Sequence, residues 1–260
     1  MRIKSVVKVM NFHALLRVNK SKKVAERFFE YEKELSDFVN CILNNRNIIL
    51  DKKILKMNKH GRDLNIYIGN DMGFCGDFNS NLNQKAREDN SDKIVIGKKI
   101  FNNKKNVLLQ MEKSEYDKKI DEIGKILYDG IKNVKYKEIN IIYNHYYNIS
   151  KIELIKKTVL PLKKEDMKTS LKEDFVVEGD INDILINIVL LYLLYEIKVA
   201  QDNSYASENI MRQSTTNESL KRIDEMEKTK TFEELKAKRN KELKKNLEFF
   251  INQKTREHEE

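Results

Sequence analysis

A cysteine set between two glycines, in Gly73-Phe74-Cys75-Gly76, is the first place in this chain where residue types and spacing could do chemistry. Cys75 could act as a nucleophile if a neighbouring base or cation lowered its thiol pKa. No histidine or second cysteine lies near it in the sequence, so the spacing favours a buried structural thiol. The glycine pair precedes a helical stretch and could cradle a phosphate at the helix N-terminus. Asp71 and Asp77 flank it and would repel that phosphate, and the chain has neither a Gly-x-Gly-x-x-Gly nor a Walker-type Gly-Lys-Ser/Thr. A tight turn is the reading these glycines favour. His13, His60, His145 and His258 are scattered without metal-ligand spacing, which argues against a metal site. Asn144-His145-Tyr146-Tyr147 could pass for a catalytic patch, but it follows the apolar run Ile139–Tyr143 and reads as a strand end. Ser207, Glu208 and Arg212 share one helix face. A solvated Glu208–Arg212 pair there would contribute only about 0.3–0.5 kcal/mol.

The elements that must position these residues are set out by glycine and proline. All eight glycines and the single proline, Pro161, lie between Gly61 and Gly179. These residue types interrupt helices and form turns. The chain of 260 residues therefore divides into an N-terminal flank (1–60), a turn-rich centre (61–180) and a C-terminal flank (181–260). In the first flank, Ile3, Val7, Met10 and Ala14 step by helical spacing, and Val24, Phe28, Tyr31, Leu35, Phe38 and Ile42 continue it. That is a narrow apolar seam of coiled-coil type. The last flank begins with a broad apolar face at Ile184, Ile188, Leu191 and Tyr195, and is polar from Gln201 to Arg222. A weak seam then resumes at Ile223, Met226, Leu235, Leu243, Leu247 and Phe250. A helix from Ile184 to Phe250 would run roughly 100 Å and one through Ile42 roughly 60 Å. Two such helices at opposite chain ends most simply pair antiparallel. The polar stretch is expected to face solvent or a sliding partner.

The centre predicts alternating strands and helices in a mostly parallel sheet. Strands are expected at Leu64–Ile68, Lys93–Ile96, Val107–Leu109 and Ile139–Tyr143, with a further one at Ile152–Leu160. A helix is expected over Ser114–Asn133, with Ser114 as its N-cap. The fold class is thus α/β plus a long antiparallel coiled coil: terminal helices form a shaft, and a central Rossmann-like domain forms a foot.

Net charge is +9, which leaves nucleic acid, an anionic membrane or an acidic protein surface as partners. The basic runs lack interleaved aromatics, so no nucleic acid is expected. Lys4, Lys8, His13 and Arg17 break any signal-peptide core in the first 18 residues, and the run Ile184–Tyr195 is too short to span a bilayer. Cys41 and Cys75 stand far apart and match no zinc spacing, which suits a reducing compartment. A cytosolic, soluble chain is expected.

The segment Asp71-Met72-Gly73-Phe74-Cys75-Gly76-Asp77-Phe78-Asn79-Ser80-Asn81-Leu82 follows the first central strand. It resembles the Asp-x-Gly-Leu-Cys-Gly-x-Leu-Asn-x-Asn-Leu signature of F-type ATP synthase gamma subunits, with Phe74 and Phe78 in place of two leucines. Asp71, Gly73, Cys75, Gly76, Asn79, Asn81 and Leu82 keep the family residue. Ile96-Gly97-Lys98-Lys99, Val159-Leu160-Pro161-Leu162, Val177-Glu178-Gly179-Asp180, Ala206-Ser207-Glu208 with Arg212, and Ser5-Val6 are similar to family segments in the same order. Three segments depart from the family pattern: Asn11–Asn19, Gln213–Thr216 and Glu242–Glu260.

The resemblance implies a non-catalytic rotor shaft inside a hexameric ring of alpha- and beta-type ATPase subunits. It implies no cofactor on the chain itself, with ATP or ADP and Mg held by the partner subunits. An epsilon-like stalk subunit and a membrane rotor, or another docking protein, are implied at the foot, on the cytoplasmic side of a bacterial membrane. The departures suggest a divergent member, such as a specialised F-like ATPase of mollicutes tied to gliding or surface machinery. Ring contacts are expected at Arg2, Lys4, Lys8, Arg17, Lys22, Lys23, Ser207, Glu208, Arg212, Lys236, Lys238 and Arg239. Two other readings stay open from the residues alone. One is a small-molecule α/β enzyme with helical oligomerisation arms, and the other is a coiled-coil nucleic-acid binder.

Overall fold

The computed structural model describes residues 3–44, 57–100, 105–148, 151–162 and 179–257, and the statements below concern those residues. The two flanks without glycine or proline form the two long helices, α1 (Ile3–Asn44) and α4 (Ile181–Glu257). Asp180 starts α4 as its cap, with its side chain accepting from Asn182 N at 2.8 Å and its carbonyl from Ile184 N at 3.1 Å. Between the helices lie β1 (Arg62–Ile68), α2 (Ser80–Glu88), β2 (Asp92–Ile96), β3 (Val107–Met111), α3 (Tyr116–Lys132), β4 (Tyr136–Asn148) and β5 (Lys151–Leu160).

The five strands form one sheet in the order β3-β2-β1-β4-β5. The first four are parallel, and β5 runs antiparallel on β4. The connections from β1 through β2 to β3 move one way from β1, and α3 returns the chain to β1's other side. Both faces of such a sheet must be covered, which is why β1 and β2 read as nearly continuous apolar runs. One face packs Leu64, Ile66, Ile94, Ile96, Ile139 and Ile141 against Ile123 and Leu127 of α3 and Val189, Leu193 and Ile197 of α4. The other face, with Tyr67, Val95 and Ile142, is covered by Leu82 and Ala86 of α2. Helix α3 lies close on β4: a Cβ at Gly130 would stand 2.5 Å from the Tyr136 ring.

The expected strands are all present, and β4 is longer than its apolar run. It continues to Asn148 because β5 pairs with it as far as Asn148↔Lys151, so His145 lies within the ladder opposite Glu153. Ser114 is not a helix cap. A 3-10 turn, Lys113–Glu115, precedes α3, and Glu112 caps that turn in a reciprocal box with Glu115. A carboxylate at each end of the box satisfies two backbone donors, where one serine would satisfy one.

The chain forms two compact units, residues 1–11 with 214–260, and residues 12–213. These divide α1 and α4 internally, whereas the expected boundaries at 60/61 and 180/181 rest on where glycine and proline begin and end in the sequence. In the first unit the helices run antiparallel: Lys4 pairs with Asp224 at 2.7 Å and Glu227 at 2.6 Å, and Asn11 donates to Asn217. Val7 and Met10 are half-buried there, while Ile3 is exposed. In the second unit the seam of α1 is Ala14, Val18 and Ser21, all buried, and Asn209 of α4 donates to Ser21 at 3.5 Å.

Candidate functional site

Parallel strands deliver their carboxyl ends to one edge of a sheet, and the residues just after β1, β2 and β3 meet there. Asp71 follows β1. Its carboxylate accepts from Lys98 N at 2.8 Å, after β2, and from Lys113 N at 3.0 Å, after β3. One side chain thereby ties three strand ends together. The loops approach closely: Gly97 has φ +130°, and a Cβ on it would stand 3.0 Å from the carbonyl carbon of Gly69.

The sequence motif is the loop that covers this edge. Phe74 (φ 62°) and Gly76 (φ 53°) both adopt left-handed backbone, which turns the chain sharply around Cys75. Cys75 is buried in the turn, and its thiol donates to Gly73 O at 3.4 Å. Burial pushes that thiol up to about 11, despite the nearby Arg212, so it is protonated and a poor nucleophile at neutral pH. Asn79 stands at the start of α2 but makes no capping bond. Its side chain instead donates to Asn70 and, at 3.4 Å, to Lys99 O, joining the loops after β1 and β2. Leu82 enters the core beneath α2, and Asn81 is exposed.

Helix α4 closes the edge from outside. Ser207 Oγ donates to Asn144 O at 3.0 Å, and Asn144 Nδ2 donates to Phe78 O of the motif loop at 2.9 Å. Arg212 donates from Nε to Gly73 O at 3.4 Å and from a terminal nitrogen to Glu208 Oε1 at 2.6 Å. Glu208 Oε2 accepts from Lys113 Nζ at 3.0 Å. The result is a closed ring of partners running Asp71, Lys113, Glu208, Arg212, Gly73 and back along the loop to Asp71. Burial is the largest single influence on the Arg212 pKa and pulls it down, but the hydrogen bond to the Glu208 carboxylate and the neighbouring charges together outweigh it, and the net shift is upward. Arg212 is therefore charged at physiological pH, and its guanidinium faces the Glu208 carboxylate.

A second buried polar system lies on the α2 face of the sheet. Thr158 donates to Asn140 at 2.7 Å, Asn140 to Asn65 at 3.0 Å, and Asn65 to Asp89 at 2.7 Å. Tyr67 donates to Asp89 at 2.8 Å. Burial raises the Asp89 pKa, but bonds from Asn65, Ser91 and Tyr67 bring it below the usual carboxylate value.

Three expected ring contacts are thus placed elsewhere. Ser207, Glu208 and Arg212 are buried and satisfied by the chain's own loops, so their polar groups do not face a partner. The same holds for much of the polar stretch expected to face solvent: Gln201, Asn203, Ser204, Asn209 and Thr216 are also buried. Buried polar groups are tolerated when each finds a hydrogen bond, as Asn203 does at Val199 O and Asn209 at Tyr205 O, whereas Ser204 Oγ finds none among the described residues. Lys8, Arg17, Lys23, Lys236, Lys238 and Arg239 are exposed. Lys4 is engaged with Asp224 and Glu227. Arg2 and the side chain of Lys22 lie outside the described residues.

The sequence does not single out Lys113 or Asn144 as clasp residues. Lys113 is one of 50 lysines and arginines, and only its position between strand end and helix sets it apart.

A motif loop that gathers three strand ends and fastens them to a helix of 77 residues is a mechanical joint. A family model described as ATP synthase matches residues 1–243. The chain belongs to the ATP synthase gamma family. The ATP synthase gamma chain of Malacoplasma penetrans is 28% identical over 247 residues, covering 86% of this chain and 85% of that one. That of Clostridium perfringens strain SM101 is 24% identical over 240 residues, covering 86% and 84%. Among solved structures, the central stalk of the Tetrahymena thermophila mitochondrial ATP synthase superposes with a TM-score of 0.54 at 16% identity, covering 82% of this chain and 99% of that one. A chain of the Euglena gracilis mitochondrial enzyme gives 0.50 at 14% identity, covering 98% and 94%. At such identities the likeness speaks for the gamma fold alone: a mixed sheet with a long C-terminal helix.

Proposed function

We infer that this gamma-family chain is the central rotor shaft of an F-type or F-like rotary ATPase and has no catalytic activity of its own. The observation that carries this reading is the family match over residues 1–243 on a chain whose ends form antiparallel helices. ATP or ADP with Mg would be held by alpha- and beta-type subunits in a hexameric ring around α1 and α4. The exposed cations Lys8, Arg17, Lys23, Lys236, Lys238 and Arg239 suit acidic surfaces on those subunits. Charge attraction is long-ranged and tolerates sliding, as a rotating contact requires. An epsilon-like subunit and a membrane rotor, or another docking protein, would take the α/β domain. No described helix is long and apolar enough to cross a membrane, which fits a peripheral subunit on the cytoplasmic side.

The motor served is either a proton-translocating synthase or a specialised machine such as one driving gliding. Affinity purification of the tagged chain from its host tests the assignment. Two ATPase subunits bearing Walker motifs should copurify with it. Recovery of the chain alone, or with nucleic acid that high salt removes, would contradict it.

A further inference from the structure

We propose that the ring of Asp71, Lys113, Glu208 and Arg212 is the torsional lock of the α/β domain: it fixes the angle between the sheet and α4, so that turning the helix turns the domain. This deepens the rotor reading and rests on it.

The argument begins with what apolar packing cannot do. The contact of Val189, Leu193 and Ile197 with the sheet is non-directional, and such a contact resists separation better than it resists turning about the helix axis. Torque needs bonds with angular preference held off the axis. The ring supplies them, because charge-assisted hydrogen bonds are short and directional. Its members come from three chain segments: the loop after β1, the turn after β3, and α4. Asp71 binds backbone on two other strand-end loops, so a load on Lys113 is shared with the ends of β1 and β2. Glu208 and Arg212 are one helical turn apart and grip Lys113 and Gly73 O respectively. Ser207 adds a third attachment, to Asn144 O at the end of the β1–β4 side. A helix held at three points spread over about 140° of its sheet-facing side cannot roll without breaking one. Burial of Ser207, Glu208 and Arg212 keeps water from the α4 end of these bonds, where it would otherwise exchange with them and let them slip.

The function assigned to the ring goes beyond holding the fold. Stability would be served as well by apolar residues of similar volume, because a buried ion pair seldom exceeds them in net stabilisation. Angular definition would not.

The test uses the assembled complex, with the ring of ATPase subunits immobilised and a bead on a cysteine introduced at exposed Lys118 of α3. Cys75 is buried, and a Cys41→Ser background removes the other thiol. The spread of bead angle during each ATP-waiting pause reports torsional stiffness. Lys113→Met and Glu208→Gln should widen that spread severalfold at an unchanged ATPase rate, and Lys113→Arg should leave it at the parent value. Equal spread in the parent, Lys113→Met and Glu208→Gln would overturn the lock. A parent complex that hydrolyses ATP with no bead rotation would sink the rotor reading itself, and the lock with it. Variants that lose assembly are replaced by Ser207→Ala, which removes one attachment and no charge and should widen the spread to a smaller degree.

Discussion

Removing Glu208 should cost far more than removing either of its partners. Its carboxylate meets Arg212 at 2.6 Å and Lys113 at 3.0 Å, and the three side chains are 5%, 6% and 14% exposed. Glu208→Ala leaves two buried cations facing each other without an anion, a change worth about 3–5 kcal/mol. Arg212→Met leaves Glu208 still paired with Lys113 and removes the guanidinium's bonds to Glu208, Gly73 O and Asn209, about 2–3 kcal/mol. Lys113→Met leaves the tighter Glu208–Arg212 pair in place, and the greater exposure of Lys113 lowers its cost to about 1 kcal/mol. The chain has no tryptophan. A Tyr205→Trp parent therefore gives a single reporter beside the site, since the Tyr205 ring lies 5.9 Å from Lys113 Nζ. Urea unfolding followed by its fluorescence measures each variant. With a slope of about 2 kcal/mol/M, Glu208→Ala should lower the midpoint by roughly 2 M. A Glu208→Ala cost under about 0.5 kcal/mol, the range of an ordinary surface substitution, would refute the buried ring. So would an order in which Lys113→Met exceeds Glu208→Ala.

Gly130→Ala should destabilise the α/β unit by about 1–3 kcal/mol in the same assay, because its Cβ would press on the Tyr136 ring and α3 would have to shift. Asp89 has a folded-state pKa below its ordinary 3.8, so its stabilising contribution is present above that value and is lost as pH falls through the lower folded one. Asp89→Asn should remove that component of the acid-induced fall in the unfolding midpoint, and an unaltered pH profile would count against the assignment. In a Cys41→Ser background, Cys75 should resist iodoacetamide in the native state and react once urea unfolds the chain, since it is both buried and shifted up to about 11.

The sequence made the long helices legible because absence of glycine and proline is a strong local signal, and the structure has both. The strands were legible because parallel strands buried on two faces are nearly pure apolar runs, as in Lys93-Ile94-Val95-Ile96. The centre of α4 departs from its polar pattern for a physical reason. Polarity from Gln201 to Arg222 suggested solvent, yet Ser204, Ser207, Asn209 and Arg212 are buried. A finer signal was available. Residues 201–217 hold only Asp202, Glu208 and Arg212 as charges among small and amide side chains, whereas residues 218–249 are dense in lysine and glutamate and are mostly exposed. Small polar residues can be paid for by local hydrogen bonds; long charged ones must stay in water. The partners of Glu208 were out of reach, because Lys113 lies 95 positions away along the chain.

The rotor assignment is tested most directly by tethering. In the purified complex, a cysteine replacing exposed Lys238 of α4 would be cross-linked by oxidation to one introduced in a surrounding ATPase subunit. A rotating shaft predicts that the bond arrests ATP hydrolysis and that a thiol reductant restores it. Full hydrolysis by the tethered complex would contradict the account.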